Sequence, residues 1–435
     1  MSRTATPRID KRRQKKLPCG VPGDGTSLIS DVYRAEWARV LATLIRLTGD
    51  FSLAEEATQD AFEAALTRWR EGGVPESPRA WLIQTARYFA IDRRRRQRVL
   101  SAKLEAHPLT VDEAFAPTDP FEIPDDLLRL VFTCCHPALA LETQVALCLR
   151  TLLGLDTDEI ARAFVVAPAT MAQRLVRAKR KIAAANIPYE VPEPSQMPSR
   201  LHGVLTVLYL LFSEGYAATR GPAMQRTELA SEAIRLTRLL LTLFVSEPPR
   251  EITGLLALML LHDSRRDARV DAAGDIIRLD DQDRSLWDRG QIDEGLVLAE
   301  HAMAGEPGPF GLQAAIAAVH ARAGRKEETD WAAIQRLYDA LERIEPSPII
   351  RLNRAVAVAM TDGPGEALAI LDSIDADGAL DGYHLLHAAR AEFSERLGRF
   401  ADAEKSFARA LELATNESER RFLSRRLAQV RELVR

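Results

Sequence analysis

The chain has 435 residues, with 58 Lys or Arg against 62 Asp or Glu and a formal net charge of −4. A hydrophobic content of 46% excludes wholesale disorder, and four cysteines are too few for a disulfide framework. The cysteine usage favours a reducing compartment, so we expect a cytoplasmic protein, and the absence of an apolar run of about 18 residues predicts no transmembrane helix.

Charge and proline divide the chain into two unlike parts. Residues 1–187 carry a net charge of +5, and residues 188–435 carry a net charge of −9. Prolines between residues 188 and 198 prevent a continuous helix, because proline lacks the backbone N–H. We therefore expect an interdomain linker over residues 188–199, joining a basic half to an acidic half.

The first 26 residues are basic and nearly devoid of apolar side chains, which predicts a solvated, disordered tail. The alternative is an arm that contacts nucleic acid. A secretory signal would need an apolar stretch of about 7–15 residues after its charges, and none follows here.

Apolar side chains spaced three and four residues apart predict only helices in the basic half. One helix is expected over residues 31–47. A second is expected from about Ser52 to Trp69, where Ser52 and Glu55 form a capping-box pattern. The second helix has one face of small apolar residues and one acidic face. An acidic helix face is most often simply solvated.

A third helix, over residues 79–98, mixes aromatic side chains with arginines. Arg87 and the run Arg93–Arg96 are clustered cations that suit phosphate binding, and aromatic planes can stack on unpaired bases. The alternative is an aromatic core with a solvated helix end. We expect Trp81 and Leu82 in the core and the arginines on nucleic acid, since one helix end rarely concentrates so much repulsion without a polyanion.

Residues 101–124 are acidic and contain several prolines, which predicts a weakly structured connector. Helices expected at about 125–134 and 140–152 lead into a helix-turn-helix pattern over residues 157–181. Its second helix begins near Thr170, is basic, and is expected to face the core with Leu175 and Val176. Such a helix meets base edges with its first turns and phosphates with its basic end. Ordinary helical pairs can imitate the pattern.

Residues 200–435 are predicted to form successive amphipathic helices. Two segments align at an offset of 36 residues, close to the tetratricopeptide period of about 34 residues. The aligned positions are Ala355, Ala367 and Leu371 with Ala391, Ala403 and Phe407. Stacked helical pairs form concave surfaces that bind peptides or proteins, so we favour a protein-contact or regulatory role. The alternative is a helical cap without a ligand.

Catalytic and metal sites are not expected. The segment Cys134-Cys135-His136, even with Cys148, lacks the spacing of zinc ligands, and His384 and His387 have no third ligand at helical spacing. We interpret the cysteines as buried structural residues and the histidines as packing or hydrogen-bonding groups. No cofactor and no enzymatic activity are predicted.

Taken in order, these motifs resemble a known family. Segment 54–62, the helix with Trp81-Leu82 and Ile91-Asp92-Arg93, and segment 158–178 are similar to regions 2 and 4 of extracytoplasmic-function (ECF) RNA polymerase sigma factors. The similarity extends over about residues 27–185. Segments 134–139 and 381–390 resemble the subgroup with a C-terminal tetratricopeptide-like extension. One departure is the turn at residues 165–168, which is bulkier than usual and leaves the register of the motif open.

The resemblance implies a role for each motif. The second helix would dock on the coiled coil of the polymerase β′ subunit through Glu56, Gln59, Asp60, Phe62 and Glu63. The third would hold a flipped base and clamp phosphates of the minus-ten element through Trp81, Arg87, Tyr88, Arg93, Arg94, Arg95 and Arg96. The helix-turn-helix would recognise the minus-thirty-five element through Thr170, Gln173, Arg174, Arg177, Lys179, Arg180 and Lys181. The acidic connector would thread the channel later taken by nascent RNA. The regulatory extension is marked by Asp381, Gly382, Tyr383, His384, His387 and Arg390.

The sequence therefore predicts an all-α protein with six segments. They are a basic disordered tail (1–26), sigma region 2 (27–100), an acidic linker (101–124), a sigma region 4 helix-turn-helix (125–187), a proline-rich linker (188–199) and a tetratricopeptide-like helical extension (200–435).

The predicted function is a sigma factor that binds core RNA polymerase, through its β′ and β subunits, and directs promoter-specific initiation. The extension would regulate this activity in cis, by competing with DNA for the arginines or through a protein or peptide partner. No membrane partner is expected. The alternatives are a stand-alone helix-turn-helix DNA-binding regulator, which leaves the acidic and arginine-rich helices unexplained, and a helical-repeat scaffold protein.

Overall fold

A computed structural model describes residues 25–104, 125–218 and 224–434, apart from residues 153, 156, 165, 186, 188, 191, 193, 194 and 245–247. The residues so described form eighteen α-helices and no β-strand, which confirms the predicted all-α fold. Residues 1–24 of the predicted tail and 105–124 of the predicted acidic linker lie outside them. The chain divides into two compact units, residues 1–117 and residues 118–435. None of the helices within the described ranges is long and apolar enough to cross a membrane.

The first unit is a three-helix assembly of α1 (Gly25–Thr48), α2 (Phe51–Gly72) and α3 (Pro78–Leu104). The chain turns between α1 and α2 at Gly49, whose φ of +64° lies in the left-handed region that favours glycine. Asp50 then caps α2, because its carboxylate accepts a hydrogen bond from the Leu53 amide at 3.0 Å. The capping box expected at Ser52 is therefore wrong: Asp50 is the cap and Ser52 already lies inside the helix.

Aromatic rings form the centre of this unit. The Tyr33 and Trp37 rings of α1 lie 4.9 Å and 5.9 Å from the ring of Phe62 on α2, as centroid distances. Leu82 of α3 is fully buried, as expected, whereas Trp81 is half-buried and meets the Trp69 ring edge-on at 5.3 Å. The three helices pack their apolar faces against one another, so the charged faces of α2 and α3 point outward.

The second unit begins with four short helices: α4 (Asp126–Cys134), α5 (Leu141–Leu152), α6 (Thr157–Ala163) and α7 (Pro168–Ala184). Met171, Leu175, Ala178 and Ile182 form the buried stripe of α7, spaced three and four residues apart. Val176 is 47% exposed, so its expected place in the core is wrong: it lies off this stripe.

The extension continues the second unit with eleven helices. They are α8 (Met197–Tyr216), α9 (Thr227–Thr242), α10 (Arg250–Asp263), α11 (Arg289–Ala302), α12 (Pro309–Arg322), α13 (Trp331–Ile344), α14 (Pro348–Thr361), α15 (Pro364–Ala376), α16 (His384–Arg396), α17 (Phe400–Leu413) and α18 (Glu417–Val434). Before α8, the proline-rich segment is packed onto the unit: Ile187 and Pro192 are buried, and the Tyr189 hydroxyl donates to the Asp126 carbonyl at 2.7 Å.

The repeat expected from the sequence is present as two helical hairpins. Helices α14 and α15 begin at Pro348 and Pro364, and α16 and α17 begin 36 residues later at His384 and Phe400. All six residues aligned at this offset are at most 1% exposed. The small alanines among them allow the paired helices to pack closely, which is how tetratricopeptide-like hairpins stack.

Candidate nucleic-acid interface

The acidic face of α2 carries most of the residues expected to dock on the polymerase. Glu56, Gln59 and Glu63 are exposed at a spacing of three and four residues, so they share one face of the helix. Asp60 is half-buried beside them. Phe62 is 5% exposed and lies against the aromatic rings of α1, so it supports α2 from within and is not presented to a partner.

Arg93 differs from the rest of the arginine run. Its Nε and Nη2 donate to Asp60 Oδ2 at 3.1 Å and 2.8 Å, and its Nη1 donates to Glu56. The hydrogen bond to Asp60, helped by the two negative charges, raises the pKa of the Arg93 guanidinium above its usual value. Arg93 therefore links α3 to the acidic face of α2. The sequence could not separate it from its neighbours, since all four residues are arginine.

The outer face of α3 combines cations with exposed apolar groups. Arg87, Arg94 and Arg95 are exposed, and Arg96 is exposed but pairs with Asp92 at 2.5 Å. Tyr88 is 69% exposed and Ile91 is 47% exposed on the same part of the helix. An exposed ring among arginines suits stacking on an unpaired base while the cations neutralise phosphates. The sequence marks Ile91 only as part of a family motif and gives no signal of its exposure.

Helix α7 presents the residues expected to contact the minus-thirty-five element. Pro168 is in the first helical position of α7, where a missing N–H is tolerated, and this fixes where the helix begins. Val165 of the turn lies outside the described residues. Thr170, Gln173 and Arg177 are exposed and line a groove of about 380 Å³ with Lys181 and the start of α5. Polar and basic side chains thus lie along one helix face, as the expected contacts with bases and phosphates require.

The remaining basic residues of α7 have distinct environments. The Arg174 guanidinium lies 5.8 Å from the centroid of the Phe164 ring, within cation–π distance, and Arg174 also lines the groove. Lys181 donates to the Ala138 carbonyl, Lys179 is half-buried, and Arg180 is exposed. Within the described residues, Arg177 and Arg180 form no ion pair.

The extension packs against region 4 through α8, which contacts α4 and α5. A Cβ on Gly203 would lie 2.3 Å from Gln144 Oε1 and 3.4 Å from the Cys135 Cβ, so glycine permits this close approach. At the edge of the interface, Arg235 of α9 pairs with Asp125 at 2.6 Å.

The segment Cys134-Cys135-His136 lies at this interface. Both cysteines are buried, and burial also raises the pKa of the nearby Cys148 thiol well above its usual value. Burial and the charge of Arg200 lower the pKa of His136. These properties fit packing, as predicted. No group of three or more His, Cys, Asp or Glu side chains in the described part of the chain could hold a metal ion.

The signature around residues 381–390 joins three helices of the extension. His384 Nε2 lies 3.3 Å from Glu419 Oε2 of α18, and Arg390 pairs with Asp372 and with Asp375 of α15, the latter at 2.8 Å. His387 Nε2 lies 3.1 Å from the Asp381 carbonyl oxygen, and burial raises the pKa of Tyr383. Asp381 and Gly382 are exposed in the preceding turn.

Three known protein families match separate parts of the chain. Residues 32–99 match Sigma-70 region 2, residues 129–182 match Sigma-70 region 4, and residues 200–303 match a family of unknown function, DUF6596. No solved structure matches the chain significantly.

Two relatives are similar to the chain over different lengths. The chain is 46% identical over 396 residues to an uncharacterized protein of Rhizobium meliloti (strain 1021), covering 89% of this chain and 92% of the relative. It is 28% identical over 191 residues to SigI of Mycobacterium tuberculosis, a probable ECF RNA polymerase sigma factor, covering 42% of this chain and 61% of SigI. The chain has the two DNA-binding regions of a sigma factor on an all-α scaffold. It belongs to the ECF sigma factors that carry a C-terminal helical extension.

Proposed function

We propose that this protein binds core RNA polymerase and directs initiation at specific promoters, under the control of its own extension. The observation that carries this proposal is the occurrence, on one chain, of an acidic helix face, an arginine-rich helix with an exposed ring, and a basic recognition helix. A stand-alone DNA-binding regulator needs only the basic recognition helix.

Region 2 supplies polymerase docking and minus-ten recognition in this proposal. Glu56, Gln59 and Glu63 dock on the β′ coiled coil. Tyr88 and Trp81 stack on bases of the melted strand, and Arg94 and Arg95 neutralise its phosphates. Arg93 acts indirectly, since its ion pairs with Asp60 and Glu56 set the spacing of α2 and α3.

Region 4 recognises the minus-thirty-five element through α7. Thr170 and Gln173, at the exposed start of the helix, meet base edges, because a recognition helix enters the major groove with its amino-terminal residues. Further along the helix, the phosphates are bound by Arg177, Arg180 and Lys181. Arg174 is held at the groove by the Phe164 ring.

The extension acts on region 4 through α8. Because α8 packs on α4 and α5, any change in the extension that moves α8 also moves the scaffold that carries α7. The extension would thus regulate the protein in cis by shifting the recognition helix, and it would not need to cover the DNA-binding face of that helix. The signature residues 381–390 stabilise the repeats that form the outer part of this device.

The test is run-off transcription with purified core polymerase, the full chain and genomic fragments. We expect transcripts from defined start sites that require the protein. Glu63→Lys, a charge reversal on the exposed face of α2, should reduce core binding at least tenfold. Glu432→Lys, an equally exposed reversal near the end of α18, is the matched control and should leave binding unchanged. DNA binding without core binding or transcripts would instead identify a stand-alone regulator.

A further inference from the structure

A cavity of about 440 Å³ lies inside the extension, between helices α8, α10, α12, α13 and α14. This size is within the range of about 300–1,000 Å³ that is typical of small-molecule sites. All of its described lining residues belong to the extension, so neither polymerase docking nor promoter recognition accounts for it.

Most of the cavity wall is apolar or aromatic. Leu258, Ile316 and Leu341 contribute aliphatic side chains, and Tyr209 and Phe212 contribute rings. A wall of this kind favours a ligand with an apolar body, since burying apolar surface stabilises by about 25 cal/mol per Å².

One end of the cavity is basic and rich in hydrogen-bonding groups. Arg265 Nη2 donates to the Tyr216 hydroxyl at 2.8 Å and lies 2.9 Å from His262 Nδ1, while His320 lines the same end. Burial, reinforced by neighbouring arginines, lowers the pKa of His262 well below its usual value and the pKa of His320 to about 4. Both imidazoles are therefore neutral at pH 7, and the positive charge at this end comes from arginine.

Two further arginines support the walls from behind. The Arg269 guanidinium lies 3.4 Å from the centroid of the Tyr216 ring and donates to the Tyr216 carbonyl. Arg284 donates to the His320 carbonyl at 3.0 Å. In the described part of the chain, no carboxylate lies within ion-pair distance of Arg265, Arg269 or Arg284.

Several other arginines of the extension do have a carboxylate partner. Arg235, Arg266 and Arg390 each pair with at least one carboxylate. Around the cavity, no described lining residue is Asp or Glu. The lining thus presents the half-buried guanidinium of Arg265 without a lining carboxylate, which suits an anionic ligand.

We propose that this cavity binds a small monocarboxylate with an apolar or aromatic body. The carboxylate would pair with the Arg265 guanidinium through Nη1, because Nη2 already donates to the Tyr216 hydroxyl and lies against His262 Nδ1. It would take further hydrogen bonds from Tyr216 and the two imidazoles. Arg265 is the one arginine among the described lining residues, and its single positive charge matches the single negative charge of a monocarboxylate. The body would lie against the aliphatic and aromatic wall. This assignment is independent of the proposed sigma activity, because it concerns binding to the extension alone.

The test is isothermal titration calorimetry on the full chain, without polymerase or DNA. The probes are benzoate, 2-naphthoate, 4-phenylbutyrate and octanoate, each beside its neutral amide, together with phenyl phosphate. We expect at least one carboxylate to bind at one site per chain, at least tenfold more tightly than its amide. Arg265→Gln should weaken that binding tenfold or more. Arg238→Gln, which removes an exposed arginine of α9 paired with Glu294, is the matched control and should leave it unchanged.

A second variant keeps the test decisive if Arg265→Gln does not fold by circular dichroism. Asn353 lines the cavity yet is exposed, so it lies at the rim, and Asn353→Trp should block entry without disturbing the core. The proposal is overturned if no carboxylate binds, if amides bind equally well, or if phenyl phosphate binds more tightly than every carboxylate. It is also overturned if binding survives both cavity variants.

Discussion

Arg93 of α3 and Asp60 of α2 form an ion pair between two helices whose outer faces have different expected partners. The guanidinium donates to one carboxylate oxygen of Asp60 from both Nε and Nη2, at 3.1 Å and 2.8 Å, and reaches Glu56 as well. A residue of the arginine-rich helix α3 thus neutralises part of the acidic face of α2. Arg93 is a link between two surfaces, whereas Arg94 and Arg95 extend outward from the same helix.

This geometry predicts different effects for adjacent arginines. Arg94→Gln should reduce promoter affinity and lower the slope of log affinity against log salt by about one, because it removes one phosphate contact. Arg93→Gln should change that slope much less. Fluorescence anisotropy with a minus-ten strand over a salt series, using polymerase holoenzyme, measures both. Equal slopes for the two variants would show that Arg93 also contacts phosphate.

The ion pair itself can be measured by a double-mutant cycle. Arg93→Gln and Asp60→Asn should each destabilise the packing of α3 on α2, and their coupling should be about 0.2–1 kcal/mol, as for partly exposed pairs. The four stabilities of the cycle, for the natural chain, the two single variants and the double variant, come from hydrogen-exchange protection of the α3 amides in the full chain. A coupling of zero would mean that the two groups only lie close together.

On α7, two exposed positions should separate base recognition from phosphate binding. Gln173→Ala should relax selectivity at one base pair, with a loss of about 1–3 kcal/mol on the preferred sequence. Arg180→Ala should weaken binding to all sequences alike and reduce its salt dependence. The measurement is competition binding with a minus-thirty-five library. Uniform loss for both variants would contradict the assigned roles.

The close contact at Gly203 predicts that region 4 depends on α8. Gln144 cannot easily yield, because its Nε2 donates to the carbonyls of His136 and Leu139. Gly203→Leu should therefore separate α8 from α5 and cost about 1–3 kcal/mol, as overpacking does. Hydrogen exchange should quicken in α4, α5 and α8 and stay unchanged in α1–α3.

The matched control for this variant is Gly365→Leu in α15. A Cβ there would meet nothing within 4 Å, and its φ is not in the left-handed region, so the same side chain should be tolerated. If the two variants behave alike, the proximity of α8 and α5 is not what stabilises region 4.

Acidification should destabilise the extension through His320. Its folded pKa is about 4 against an ordinary value of 6.5, because burial and nearby arginines disfavour the charged ring. Between those values the unfolded chain binds a proton that the folded chain does not, so stability falls as pH drops from about 6.5 towards 4, by on the order of 3 kcal/mol. Urea unfolding of the full chain at pH 7 and pH 5 measures this. His320→Gln removes the titrating group, so its loss over the same interval should be smaller than that of the natural chain.

Periodicity was sufficient to predict most helices, because a buried stripe repeats along each one. The helices expected at about 125–134 and 140–152 are found as Asp126–Cys134 and Leu141–Leu152, and the 36-residue repeat recurs in the starts of α14 to α17. The partner class followed from the ordered motifs of regions 2 and 4. These features are local, so the sequence carries them directly.

What the sequence could not predict depends on neighbours distant along the chain. Phe62 follows the acidic residues of α2, yet it turns inward because α1 supplies two aromatic rings. Arg93 differs from the other arginines of its run only because α2 places Asp60 and Glu56 beside it. The cavity near Arg265 is assembled from five helices spread over about 150 residues, and no single segment signals it.

The contact of α8 with α4 and α5 also limits how the chain can be divided by protein engineering. A cut in the proline-rich segment would leave apolar faces on both products, so each would tend to aggregate, and their loss of activity would say little about control. Helix α8 also packs on α9 and α10, so a cut after Tyr216 would expose apolar surface as well. A chimaera with a different extension therefore needs an α8 whose buried faces match both region 4 and the new extension.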